Sequence, residues 1–366
     1  QVAPKDPFEI RLARINNEKA EIKSVELAER VLKDLETRVL RVARILRREM
    51  PKKAFPPLIT STLQQSASYM LGYSPSRTMS IAQKLYEGMD FGEGPVGLIT
   101  YMRTDSVQVS VEAQTACREF VLKNYGPEYV PDKPNAYRSK ASAQEAHEAI
   151  RPTDVHRTPE SLSSRLSPDE FKVYKLIWQR FVASQMTPAR IAQCTVEIET
   201  PTDETRKDLY LFRATASEIA FPGYMRAAGI EKAEKDDDGD AVEKLPALVE
   251  GETLDLLEWL SVRKETQPPG RYSEATLIKA LEEYGIGRPS TYAQTLATLD
   301  KRGYLIKEKK SLKPADLGRS VNKYLVTNRG QLFDVTFTAT MEESLDKIDE
   351  GSVEWTTMLE DFYKQF

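Results

Sequence analysis

The sequence predicts a multidomain α+β protein, with a β-rich domain joined to two mainly helical, winged-helix-like domains. Three observations carry this. A chain of 366 residues exceeds what one ordinary core organises, so two to four domains are expected. The hydrophobic period changes along the chain. It is mostly helical before residue 187, alternates with period two over residues 192–262, and reverts to helical spacing after Pro268-Pro269-Gly270. A faint internal repeat sets Thr62-Leu63, Pro75-Ser76 and Leu85 against Thr276-Leu277, Pro289-Ser290 and Leu299 at a constant offset of 214 positions. Two copies of a helix–turn–helix–hairpin unit would give that pattern.

Taken in order, Ser24 is placed to cap an amphipathic helix that runs to about Leu35. Val39, Val42 and Ile45 favour a strand over residues 38–48, and Pro51, Pro56 and Pro57 break it. Two helices follow. One is capped by Thr60 or Ser61, buries Leu63, Ala67 and Leu71, and stops at Gly72; the other starts at Ser76, carries Met79, Ala82, Leu85 and Tyr86, and stops at Gly88. Beyond an acidic, Gly-rich loop over residues 89–97, the run Leu98-Ile99-Thr100-Tyr101-Met102-Arg103 reads as a short strand. Its period of two puts Ile99, Tyr101 and Arg103 on one face, and Thr104, Asp105 and Ser106 turn the chain through side-chain bonds to the backbone. With a longer loop in the first repeat copy, Gly97-Leu98-Ile99 aligns with Gly303-Tyr304-Leu305 and Tyr101 falls on a wing strand.

Ser110 is placed to cap a helix carrying Ala113, Ala116, Cys117, Phe120 and Val121. Ser142 and Glu145 have capping-box spacing, which predicts a short helix over residues 143–150 with His147 and Arg151 facing one way. A core-forming helix spans residues 168–186. Strands follow at 195–198, 209–212 and 254–259, interrupted by a solvated acidic loop at 231–243 that lacks the spacing of a calcium loop. Ser273 caps a helix over residues 274–284, Gly285 and Gly287 make a turn, and Ser290 caps a second helix over 291–302. A small hairpin comes next, and residues 333–366 read as two more helices.

The composition, 40% hydrophobic and 30% charged, is that of a globular chain. No apolar run approaches the roughly 18 residues of a membrane helix, and two cysteines, Cys117 and Cys194, make neither a disulfide framework nor a metal-ligand pattern. No metal-binding residues are assigned. The net charge of −4 does not announce a nucleic-acid binder, but local patches decide phosphate binding, and two basic stretches lie at 38–53 and 301–313. A phenol needs a cation to stabilise both the phenolate and the charge on an attacked phosphate, and Arg103 offers a bidentate fork beside Tyr101. His147 could add an imidazolium. Thr291, Thr295, Thr298 and Arg302 line one helical face behind Arg288 and Ser290, and that face suits phosphate contacts, while Tyr292, Leu296 and Leu299 face the other way. Each such feature also has an ordinary reading as core or solvated surface.

Three motifs then stand in one order: Leu98-Ile-Thr-Tyr-Met-Arg-Thr-Asp-Ser106, Gln144-Glu-Ala-His-Glu-Ala-Ile-Arg-Pro152 and Gly285-Ile-Gly-Arg-Pro-Ser-Thr-Tyr292. With Ile59-Thr-Ser-Thr-Leu-Gln-Gln65 and Phe337-Thr-Ala-Thr-Met-Glu-Glu-Ser-Leu345, they resemble the type IA DNA topoisomerases, in the bacterial topoisomerase I branch. The resemblance covers nearly the whole chain. It implies a toroid, with a β-rich arch from residues 1–52 and 187–268, a tyrosine-bearing helical domain at 53–186, and a winged-helix-like DNA-binding domain with a helical tail at 269–366. It implies cleavage and rejoining of one DNA strand through a 5′-phosphotyrosine, with Tyr101 as nucleophile, Arg103 holding phosphate and His147 contacting the cleaved strand. Arg151, Arg288, Ser290, Thr291, Tyr292, Thr295, Thr298 and Arg302 are the implied DNA contacts, with Arg302 at the place of a DNA-contacting arginine. Single-stranded DNA and negatively supercoiled duplex are the implied partners of a cytoplasmic, nucleoid-associated monomer. The family's magnesium-binding Toprim domain and zinc modules are not recognised in these residues. The chain is therefore expected to behave as a fragment that needs no metal of its own, binds single-stranded DNA and does not relax supercoils alone. Two other readings stay open: a non-catalytic winged-helix DNA-binding protein, and a tyrosine recombinase linked through a 3′-phosphate.

Overall fold

The structure, a computed structural model, describes residues 6–90, 94–138, 147–232 and 240–365. The chain divides into two compact units, one of Gln1–Ala54 with Thr187–Gln267, the other of Phe55–Met186 with Pro268–Phe366. In the first unit, β1 (Arg11–Ile15) and β2 (Glu18–Lys19) form a hairpin whose turn residues, Asn16 and Asn17, have positive φ. Asparagine tolerates that region better than most residues, and the resulting turn matches strand twist. Ser24 accepts a hydrogen bond from the Leu27 amide and starts α1 (Val25–Leu35), which turns Val31 and Leu35 onto the sheet. Then β3 (Leu40–Lys52) runs the length of the sheet, the strand that Val42 and Ile45 favour, and continues through Pro51 to Lys52.

The second unit opens with α2 (Thr60–Leu71), ended by Gly72 at φ 69, a left-handed position that glycine adopts without steric cost. Next, α3 (Pro75–Glu87) begins one residue before the expected Ser76, because Ser74 accepts from the Arg77 amide and caps it. A minimal hairpin of β4 (Met89–Asp90) and β5 (Pro95–Val96) follows. Ser110 then caps α4 (Val111–Tyr125). After the short α5 (Pro159–Leu162), α6 (Pro168–Ser184) buries Val173, Tyr174, Ile177, Phe181 and Val182 as the unit's central helix.

The chain returns to the first unit as β6 (Ala189–Glu199) and β7 (Tyr210–Phe221), with α7 (Met225–Ala228), β8 (Ala241–Val242) and β9 (Thr253–Leu254) after them. The order is β2-β1-β7-β6-β3-β9, antiparallel throughout, with β8 parallel to β7. Val42 faces Ile198 and Ile198 faces Phe212 across the strands, and this row with Tyr210, Val196 and α1 is the unit's core. The strand expected at 254–259 is almost entirely irregular. Only Leu254 pairs, and Leu256 and Leu257 are exposed while Trp259 folds back on Phe212 at 5.5 Å between centroids. The acidic cluster of the 231–243 loop, Asp236 to Asp238, lies outside the described residues.

The second unit is completed by α8 (Glu274–Glu283), α9 (Tyr292–Lys301), β10 (Leu305–Glu308), β11 (Ser311–Pro314), α10 (Asp316–Arg329), α11 (Val335–Asp349) and α12 (Trp355–Gln365). α8 packs on α2 and α9 on α3. Both α2-α3-β4-β5 and α8-α9-β10-β11 run helix, helix, hairpin, the order that the repeat predicts. The register of the first wing differs from expectation: its strands are residues 89–90 and 95–96, so Tyr101 lies beyond the wing and not on it. α10 was not legible from spacing, because it buries no residue. Among the described residues no helix is long and apolar enough to cross a membrane.

Candidate strand-cleavage site

Residues 98–106 form no regular strand. They make one isolated bridge, Ile99 to Pro152, and are otherwise held by single bonds to several elements. The Leu98 amide donates to the Leu85 carbonyl at the end of α3 at 2.8 Å. Gly97 permits that approach, since a Cβ there would meet the Tyr86 carbonyl oxygen at 2.7 Å. The Thr100 amide donates to the Arg151 carbonyl at 2.9 Å, and the Thr100 hydroxyl donates to the Ala149 carbonyl at 2.7 Å and accepts from the Arg151 amide. The turn at Thr104 and Ser106 is built as expected: each hydroxyl accepts from the amide two residues on. Ile99 does not share the exposed face. It is buried with Leu98, whereas Tyr101 and Arg103 are exposed and alternate with buried Met102 and Thr104.

The helix expected over residues 143–150 is corrected where it can be seen. Ser142 and Glu145 lie outside the described residues, and residues 147–150 are irregular, with Ile150 in an isolated bridge to Leu58. The Ala149 amide donates to the Gln108 carbonyl and the Ile150 amide to the Leu58 carbonyl, both at 2.8 Å, so long-range pairing takes the groups that a helix would use. His147 and Arg151 thus share no helical face. His147 nevertheless stands beside the phenol, 6.2 Å between ring centroids, and Tyr86 meets Tyr101 edge to face at 5.4 Å. Arg151 turns to Glu148, with Nε 2.6 Å from the carboxylate, and donates to the Pro152 carbonyl. From the sequence, Tyr86 is only part of a helix face and Thr60 only a candidate helix cap. Neither neighbour of the 98–106 run carries a local signal, since both arrive through tertiary packing.

At α9, Thr291 takes the cap position expected of Ser290, and its hydroxyl accepts from the Arg288 amide at 2.8 Å. Ser290, Thr291 and Arg302 are exposed; Thr295 and Thr298 are half-buried, and the Thr298 hydroxyl donates back to the Gln294 carbonyl. Tyr292 is not a surface group. It is 6% exposed and packs with Ile278 and Leu296. Burial above all, with the Glu282 carboxylate, holds its phenol well above the usual range. Arg288 is engaged in the fold: it lies 2.5 Å from Asp346 of α11 and donates to the Gly287 carbonyl at 2.8 Å. Among the described residues no group of three or more His, Cys, Asp or Glu side chains could hold a metal ion.

The sequence profile described as DNA topoisomerase matches residues 4–360. The chain is 41% identical over 372 residues to "DNA topoisomerase 1" of Xylella fastidiosa strain 9a5c, an alignment covering 99% of this chain and 45% of that protein. It is 42% identical to "DNA topoisomerase 1" of Rickettsia prowazekii, over 99% of this chain and 46% of that one. The solved structure of full-length topoisomerase I from Thermotoga maritima matches with a TM-score of 0.81 at 35% identity, over 98% of this chain and 57% of that one. The chain therefore spans about half the length of these relatives. On the match across residues 4–360 and these identities, the chain belongs to the bacterial-type, type IA DNA topoisomerase family.

Proposed function

We propose that this chain carries the strand-cleaving tyrosine of a type IA topoisomerase, which cuts and rejoins one strand of negatively supercoiled DNA. The observation that carries the reading is the pair of exposed side chains Tyr101 and Arg103, with His147 against the phenol and the backbone pinned on both flanks. The Tyr101 oxygen attacks the phosphorus of a backbone phosphodiester, and the bond from phosphorus to the 3′-oxygen breaks. The phenol gives up its proton, the 3′-oxygen takes one up, and the products are a 3′-hydroxyl end and a 5′-phosphotyrosine. One phosphate ester replaces another, so the reverse step reseals the strand without an energy source. Arg103 holds the non-bridging oxygens with its planar fork, and His147, when protonated, adds a second charge.

Ser290, Thr291, Thr295, Thr298 and Arg302 offer hydroxyls and a cation to a single-stranded path, whereas Tyr292 and Arg288 are occupied within the fold. Magnesium, implied by the family, would supply charge neutralisation at the phosphate. The described residues make no donor set for it. The protein is read as a monomer working on chromosomal DNA in the cytoplasm.

The test uses the full-length protein and an oligonucleotide labelled at either end. A covalent band that keeps the 3′-end label and vanishes in Tyr101→Phe is expected. A band that keeps the 5′-end label means a 3′-phosphate link and the recombinase reading, and an adduct surviving Tyr101→Phe reassigns the nucleophile. The 366-residue chain by itself is expected to bind single-stranded DNA without relaxing a plasmid.

A further inference from the structure

We propose that Thr60 is a positioning residue for strand cleavage: it clamps the backbone on both sides of Arg103 and so fixes the guanidinium relative to the Tyr101 phenol. The proposal rests on the roles of Tyr101 and Arg103 given above. Thr60 opens α2, forty residues before the site, and is fully buried. Its hydroxyl lies 2.7 Å from the Met102 carbonyl oxygen and 3.0 Å from that of Thr104, and it accepts from the Thr104 amide at 2.8 Å. Its own amide donates to the Thr104 carbonyl at 2.9 Å. One threonine therefore meets the carbonyl before Arg103, the amide after it and the next carbonyl.

Two physical facts make this more than a stability contact. First, residues 101–105 belong to no sheet, so no strand ladder holds Arg103 in place. Arg103 itself is exposed and has no hydrogen-bond or ion-pair partner recorded among the described residues, so its backbone is the part that the fold can fix. Second, the first amide of a helix has no partner within the helix. Thr60 supplies that amide to Thr104, and Ile59, the residue before it, gives no side-chain cap. The start of α2 and the backbone beneath Arg103 thus satisfy each other. A fork that must meet phosphate oxygens within a few tenths of an ångström depends on such support.

The test measures single-turnover adduct formation and oligonucleotide affinity in the full-length protein. Thr60→Val keeps the shape and removes the hydroxyl. It is expected to slow adduct formation about 10- to 100-fold, as a small misplacement at a reacting centre does, with affinity within about twofold because phosphate contacts elsewhere persist. Thr60→Ser is expected to restore most of the rate. In an Arg103→Ala background, Thr60→Val should cost less than about twofold more, the signature of two residues acting as one unit. Thr60→Ala, read beside a thermal melt, covers the case in which valine prevents folding. Wild-type cleavage by Thr60→Val, equal losses with and without Arg103, or a parallel loss of affinity each overturn the clamp. An adduct in Tyr101→Phe overturns the nucleophile assignment instead, and the two failures are told apart on the same gel.

Discussion

Met102 is fully buried between two exposed neighbours, and that single burial is what turns Tyr101 and Arg103 outward together. Met102→Ala removes buried side-chain volume and is expected to cost about 2–4 kcal/mol in a denaturant melt, whereas Met102→Leu should cost under about 1.5 kcal/mol. Arg103→Ala is expected to slow adduct formation about 10²- to 10³-fold, the usual effect of losing one preorganised donor to a developing oxyanion. Arg103→Lys keeps the charge and loses the fork, so it should fall between wild type and alanine in the same single-turnover assay. Arg288 makes a contrasting case. Its guanidinium is held by Asp346 and the Gly287 carbonyl. Arg288→Ala is therefore expected to leave the salt dependence of single-strand binding unchanged. A double-mutant cycle with Asp346→Ala should show a coupling of about 0.5–1 kcal/mol.

Elements were legible where the information is local. Ser24, Ser110 and Ser273 cap the helices that their positions announce, and Val42 and Ile45 tip the arginine-rich stretch of β3, which alternates poorly, towards a strand. Elements failed where distant partners decide. The Ala149 and Ile150 amides go to Gln108 and Leu58, so a non-helical path at residues 147–150 wins over a helix-favouring sequence. Residues 98–106 read as a strand by alternation, and the alternation is real at 101–104, but the partners are a helix end, a helix start and an irregular segment. The tyrosine, the arginine and the nearby histidine could be named from sequence. Thr60 and Tyr86 could not, because nothing local ties them to Tyr101. In the first unit, Arg38 lies 2.7 Å from Asp34 of α1 and donates to the Asp208 carbonyl. Burial pushes the Asp34 carboxyl upward, but the hydrogen bonds from Arg38 and Tyr210 outweigh it and hold the group lowered. A lowered carboxyl contributes stability that is present above the unfolded carboxylate range and lost as pH falls through the folded value. Urea melts between pH 6 and about pH 3 should therefore show a loss on acidification that is smaller in Asp34→Asn, the remainder coming from other lowered carboxyls such as Asp169 and Asp203.

At the scale of the molecule, each unit is assembled from two separated stretches of chain. The sheet of the first unit pairs β3 with β6 along almost their full length, with more than a hundred residues of the other unit between them. A chain cut after Met186 should consequently leave β3 without its partner and lose the strand signal of the whole sheet in circular dichroism, while α2 and α3 lose α8 and α9 but keep α6. The far edge of β3 has a separate consequence, for colloidal behaviour. On that side β9 pairs only at Leu40 and Arg41, and beyond Ile45 no described residue continues the ladder. A long edge with open backbone groups is a template on which copies of one protein stack. Here the edge strand carries exposed Arg44, Arg47 and Arg48 and ends in Pro51 and Lys52, so a second copy would meet like charge and a residue with no amide to offer. Arg48 also donates to the buried Gln193 side chain at 2.6 Å, so the test spares it: replacing Arg44 and Arg47 with threonine keeps that contact, yet it should make a monodisperse protein scatter light with time at high concentration.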